Sequence, residues 1–117
     1  MDFDIASERP SEGVVVIALS GEVDLYTAPE FKQRLIDAVT EGARHVVVDL
    51  SETTFIDSTT LGVLVGGVRR LRENDGDLSL VCSDRNINKI FEITGLDHVF
   101  PISASRDEAL ARLSSEH

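Results

Sequence analysis

The chain has 117 residues, 42% of them hydrophobic, and its 21 acidic and 11 basic side chains give a formal net charge of −10. This length holds one domain with a packed interior, and the apolar fraction excludes wholesale disorder. The acidity disfavours nucleic acid and anionic membranes, both of which need a basic footprint, so neither is an expected partner. The charge is also uneven: residues 1–57 carry 12 acidic and 4 basic side chains, residues 58–117 carry 9 and 7.

Phe3 and Ile5 alternate with Asp2, Asp4 and Ala6, the pattern of a half-exposed edge strand. Arg9-Pro10-Ser11-Glu12-Gly13 reads as a polar turn, so the next run should return antiparallel to the first. That run, Val14 to Leu19, shows no alternation, as expected for a strand covered on both faces. Thr27 and Glu30 have the spacing of a capping box, with Pro29 tolerated in the first turn. Phe31, Leu35, Ala38 and Val39 then follow at helical spacing, and Gly42 suits the helix end. Val46 to Leu50 is a second buried strand.

Asp57-Ser58-Thr59-Thr60 opens another helix, with an apolar stripe at Leu61, Leu64, Val65, Val68 and Leu71. Gly62 and Gly66 near that stripe are expected to let this helix approach the sheet closely. Asn74-Asp75-Gly76-Asp77 is a turn leading to a strand at Leu78–Cys82. A third helix carries Ile87, Ile90 and Phe91 and stops at Gly95; Val99 and Phe100 form a short edge strand before Pro101. Ser105 and Glu108 have capping-box spacing ahead of a last helix with Leu110 and Leu113. Strands alternating with helices imply an α/β fold, a small mixed and mostly parallel sheet packed with about four helices, in a single domain over residues 1–117.

Few residues carry chemistry. Lone Cys82 cannot form an internal disulfide and sits in an apolar run, so it reads as a small core residue. The start Met1-Asp2-Phe3-Asp4 lacks a secretion-signal pattern, and the longest uncharged apolar run, Leu61 to Val68, is far below the roughly 20 residues of a membrane span. A cytoplasmic protein is the expectation. No phosphate-cradling glycine loop occurs, and His45, His98 and His117 are scattered without zinc-ligand spacing, so no metal or cofactor is expected. Asp75-Gly76-Asp77 is a turn rather than a calcium loop, and Arg69-Arg70-Leu71-Arg72 reads as a solvated helix face.

Ser58 has no G-x-S-x-G elbow and no histidine near it in sequence, which weakens a nucleophile role without removing it. Asp57, Ser58, Thr59 and Thr60 are ordinary helix-capping types, and capping explains any one of them. Four in a row, emerging from apolar Phe55-Ile56 at a strand-to-helix loop, also present hydroxyls where partners commonly meet α/β sheets.

Gly21-Glu22-Val23-Asp24 with Thr27-Ala28-Pro29, then Val48-Asp49-Leu50-Ser51, then Phe55 to Leu64 closely resemble bacterial anti-sigma factor antagonists, the single-domain members of the STAS class. Leu78 to Val81, Phe91 to Asp97 and Val99 to Ile102 match in the expected order, so the resemblance covers about residues 13–113. It implies a STAS-like fold and a binding protein rather than a catalyst. The unphosphorylated form would bind an anti-sigma factor with serine kinase activity and free its sigma factor. The kinase would inactivate it at the position matching Ser58, and a metal-dependent serine phosphatase would restore it. The resemblance places the partner-binding residues at Asp24, Asp57, Ser58, Thr59, Thr60 and Leu61, with Thr59 a neighbouring hydroxyl that the pattern does not select. Asp24, Asp57 and Glu22 would ring the serine, so a phosphate would enlarge a region already negative. Thr60 stands where the family usually has Gly, and its branched side chain is expected to alter kinase docking or the rate of phosphorylation. Two other functions compete: a STAS scaffold binding a nucleotide or small ligand without a sigma-factor pathway, and a hydrolase using Ser58.

Overall fold

A computed structural model describes residues 3–115, with side chains from 3 to 113; Met1-Asp2 and His117 lie outside the described residues. One five-stranded sheet runs in the order β1 (Phe3–Ser11), β2 (Val14–Val23), β3 (His45–Ile56), β4 (Asp77–Val81), β5 (Ile102–Ser103). β1 is antiparallel to β2 and every other neighbouring pair is parallel. Strands follow the chain order across the sheet, so successive right-handed crossovers all advance in one direction. The crossover helices α1 (Ala28–Thr40), α2 (Ser58–Glu73) and α3 (Arg85–Thr94) therefore share one face, and α4 (Arg106–Ser115) covers part of the other. Such a sheet has no point where the strand order reverses, the usual crevice for small ligands in doubly wound folds.

The unalternating run in β2 follows directly from this layering. Val15, Ile17 and Leu19 face the large core beneath α1–α3, while Val16 faces the small cluster under α4. β3 repeats the division, with Val46, Val48 and Leu50 on the first face and Val47 on the second. Phe31, Leu35, Leu64, Leu71 and Phe91 complete the main core and are almost entirely removed from water.

Four local expectations need correction. β1 continues through Pro10 to Ser11, leaving only Glu12-Gly13 as the turn; proline is tolerated there because β1 is an edge strand. Thr27 precedes α1 but makes no side-chain cap, because its hydroxyl instead accepts from the Asp24 backbone N–H at 2.9 Å. Val99 and Phe100 are not a strand. A 3-10 turn at Leu96–His98 occupies that stretch, with Val99 and Phe100 donating back to the Leu96 carbonyl, and the edge strand starts after Pro101. Finally, Gly67 rather than Gly62 or Gly66 provides the close approach. A Cβ on Gly67 would lie 3.0 Å from Leu35 Cδ1 and 3.3 Å from Leu78 Cδ1, whereas Gly62 faces open space.

Gly67→Val is accordingly expected to destabilise the fold by about 1–3 kcal/mol through overpacking, despite removing a helix-interior glycine. Thermal unfolding would show it, and Gly62→Ala should not lower stability in the same assay. Elsewhere the boundaries lie near the sequence pattern, except that β2 and β3 run on to Val23 and Ile56, past the expected Leu19 and Leu50. α2 is capped by Asp57, α3 ends at left-handed Gly95, and the Ser105 hydroxyl accepts from the Glu108 N–H at 3.2 Å to start α4. Cys82 is buried, and burial pushes its thiol up in pKa, as befits an inert core residue.

Candidate partner-docking site

The C-terminal ends of β2 and β3 deliver two loops to one edge of the sheet, and hydrogen bonds lock them together. In the first loop, Asp24 Oδ1 accepts from the N–H groups of Tyr26 at 2.9 Å and Thr27 at 3.1 Å. Such a turn, closed by an aspartate on its own backbone, is stiff without being buried. In the second, Asp57 holds both loops at once. Its Oδ1 accepts from the Thr60 N–H at 3.1 Å, capping α2, while its Oδ2 accepts from the Leu25 N–H at 3.0 Å. Thr60 completes the clasp: its side chain is 0% exposed and its hydroxyl donates to the Val23 carbonyl at 2.7 Å.

Thr60, expected at the partner surface, therefore points inward. Its hydroxyl satisfies a buried carbonyl at the end of β2, and its effect on the surface runs through the position of the Asp24–Thr27 loop. Ser58, by contrast, is exposed on the first turn of α2, with Thr59 and Leu61 partly buried beside it. Asp24 and Asp57 are brought to the same edge, and both carboxylates are engaged by backbone N–H groups. Glu22 lies at the end of β2, paired in register with Phe55.

No helical or strand period in the sequence marks the exposed apolar part of this edge. Leu25 is 60% exposed, Tyr26 83% and Phe55 48%. Two irregularities in the β2–β3 pairing, between Ala18 and Ser20 and between Gly21 and Glu22, shift the register along β3. Bulges re-aim side chains, and past these Phe55 is exposed while Ile56 is buried. Leu25 and Tyr26 sit in a four-residue turn that has no inward face. Their signal in sequence was two large apolar residues among turn formers, outside any helical or strand period. Exposed apolar side chains gathered on one edge, Tyr among them, mark a surface made for a protein partner.

Among the described residues nothing hydrogen-bonds the Ser58 hydroxyl, and His45 begins β3 at the end opposite Ser58. Exposed His98 lies beside Asp97 at 3.8 Å. No three His, Cys, Asp or Glu side chains among the described residues are arranged to hold a metal ion, and no helix there is long and apolar enough to cross a membrane.

Comparison with known proteins gives the class. Residues 8–109 match the family described as the STAS domain. The anti-sigma-B factor antagonist of Staphylococcus epidermidis is 34% identical over 87 residues, 74% of this chain and 81% of that protein. An anti-sigma factor antagonist from Mycobacterium paratuberculosis superposes with a TM-score of 0.86 at 30% identity, covering 95% of this chain and 93% of that one. The Bacillus cell fate determinant SpoIIAA, solved in its phosphorylated form, gives a TM-score of 0.76 at 25% identity over 94% and 99% of the two chains. The chain belongs to the STAS domain family, among the bacterial anti-sigma factor antagonists.

Proposed function

We propose that this protein is the antagonist in a cytoplasmic partner switch. Its unphosphorylated form binds an anti-sigma factor with serine kinase activity and displaces the sigma factor held there. Phosphorylation of Ser58 by that kinase ends the interaction, and a metal-dependent serine phosphatase restores it. The role is to bind and be modified, not to catalyse.

The observation that carries this reading is one edge combining an exposed serine with exposed Leu25, Tyr26 and Phe55 around a rigid double loop. Family membership and a neighbour solved in a phosphorylated form support it. Binding would remove the apolar side chains from water at about 25 cal/mol per Å² of area covered, and the stiff loops limit the ordering cost. Asp24, Asp57, Thr59 and Leu61 would frame Ser58 in that interface, with Thr60 holding the frame from inside.

Incubation with ATP and the anti-sigma kinase of the same organism should add one phosphate, seen as a gain in intact mass. Ser58→Ala should abolish the gain. A wild-type protein that never gains mass, or a variant that gains it equally, would remove Ser58 as the acceptor.

A further inference from the structure

An open groove runs from the Asp24–Thr27 loop along the seam between α1 and α2. Leu25, Pro29 and Lys32 line one side, and Gly62, Gly66 and Arg70 line the other. Thr59, next to Ser58, borders its upper end, so the groove is continuous with the docking edge. It uses the α2 face adjacent to the buried one: Leu64, Gly67, Val68 and Leu71 face the core, while Gly62 and Gly66 are turned outward.

Its charge is opposite to that of the protein as a whole. The chain carries −10, and Arg9, Arg72 and Arg106 are each paired with a carboxylate. Neither Lys32 nor Arg70 makes an ion pair with a described carboxylate. Arg70 lies back along the groove, close enough that a Cβ on Gly66 would sit 3.6 Å from its Nη1. Two unneutralised cations flanking a channel lined by Leu25, Pro29 and Val63 suit an anion carried on apolar chain. A nucleic acid would bring phosphates in bulk against the overall negative field. A free inorganic anion would leave the apolar lining unused.

We propose that this groove is a second part of the docking surface and receives an acidic, apolar-flanked segment of the anti-sigma factor seated on Ser58. The proposal rests on the antagonist reading above. It divides the labour across the interface: the Ser58 edge reports phosphorylation, and the groove selects the partner by charge.

The test is the affinity of the unphosphorylated full-length protein for the anti-sigma factor of its own organism, measured by calorimetry at two salt concentrations. A Lys32→Glu/Arg70→Glu double variant should bind at least about tenfold more weakly and lose part of the salt dependence. Gly62→Leu should weaken binding comparably by filling the groove, and open space at Gly62 together with better helix propensity should keep it folded. Arg44→Glu, an exposed charge reversal beside the start of β3 at the far end of the sheet, should stay within about twofold of wild type. Circular dichroism melts would confirm folding of each variant. Wild-type binding with all variants within about twofold would overturn the groove proposal and leave the antagonist reading intact. Tighter binding by the double variant would also overturn it, since the occupant would then be basic. A folded wild type that does not bind would overturn both.

Discussion

Phosphorylated protein is expected to bind its anti-sigma factor more than a hundredfold more weakly than the unmodified form, while melting at nearly the same temperature. The two halves of this expectation have separate causes. Ser58 is exposed, and among the described residues its hydroxyl bonds nothing, so the modification breaks no contact of the fold. A phosphate there adds about −1.5 to −2 charges on the first turn of α2, where the helix dipole tolerates an anion. Stability should therefore change by less than about 1 kcal/mol. The interface is different. The phosphate would stand next to the Asp57 carboxylate, on an edge whose other large side chains are Leu25, Tyr26 and Phe55. Seating it against a desolvated or acidic partner surface costs several kcal/mol, and ~3 kcal/mol already exceeds a hundredfold in Kd. Calorimetric titration of the two purified forms decides the matter: affinities within threefold, or about 0.7 kcal/mol, would mean that the phosphate does not control binding. Ser58→Asp, with one charge and no tetrahedral oxygens, should show a smaller loss of about tenfold, and Ser58→Ala little.

Much of this frame was legible in the amino-acid order because two periods dominate it. Val14 to Leu19 and Val46 to Leu50 lack alternation since helices cover both faces, and this marks buried parallel strands. Asp57 at the start of α2 and Gly95 at the end of α3 act as their residue types suggest. The misses share a physical origin in competition between local hydrogen bonds. Thr27 has the spacing to cap α1, yet Asp24 three residues earlier closes a turn on the Tyr26 and Thr27 N–H groups, and its own N–H takes the Thr27 hydroxyl that would otherwise face Glu30. Val99-Phe100 has strand composition, but a two-residue strand carries no period and the 3-10 turn claims those residues first. At the site, the Ser58 motif was visible because it is contiguous. The Thr60–Val23 bond spans 37 residues and the Asp57–Leu25 bond 32, so only the folded chain could show that Thr60 turns inward. Phe55 escaped for a related reason: its exposure depends on pairing irregularities in β2–β3 that no local pattern announces.

Arg106→Ala should lower stability by about 1.5–3 kcal/mol, the scale for losing charge-assisted hydrogen bonds at a buried group. Arg106 opens α4 and donates through Nε and Nη2 to Asp49 Oδ2, at 3.1 and 3.0 Å, while its Nη1 meets Glu8 on β1. Asp49 shares the α4-side face of β3 with Val47, and its side chain is only 9% exposed. Burial alone would raise its pKa, but hydrogen bonds from Ser51 and from Arg106 outweigh this and hold the carboxyl below its ordinary value. A carboxyl depressed in the folded state stabilises the protein above its unfolded pKa of about 3.9, and that contribution disappears as pH falls through the folded value. Wild type should thus keep the Asp49 contribution down to about pH 4 and lose it below. Without Arg106, desolvation is opposed only by Ser51, so the folded pKa of Asp49 rises toward or past its unfolded value and the pH-linked contribution shrinks; the stability gap between wild type and variant should be widest above about pH 4 and narrow below it. Denaturant unfolding of both proteins across a pH series, followed by circular dichroism, would show the gap closing in acid; a gap that stays constant as pH falls would mean that Arg106 does not hold Asp49 ionised. Glu8 is 60% exposed, so Glu8→Gln should cost at most about 1 kcal/mol in the same assay. The Arg106–Asp49 pair lies on the face of the sheet turned away from α1–α3. Below its melting temperature, Arg106→Ala should therefore still bind the anti-sigma factor with wild-type affinity, separating what holds the sheet together from what the Ser58 edge recognises.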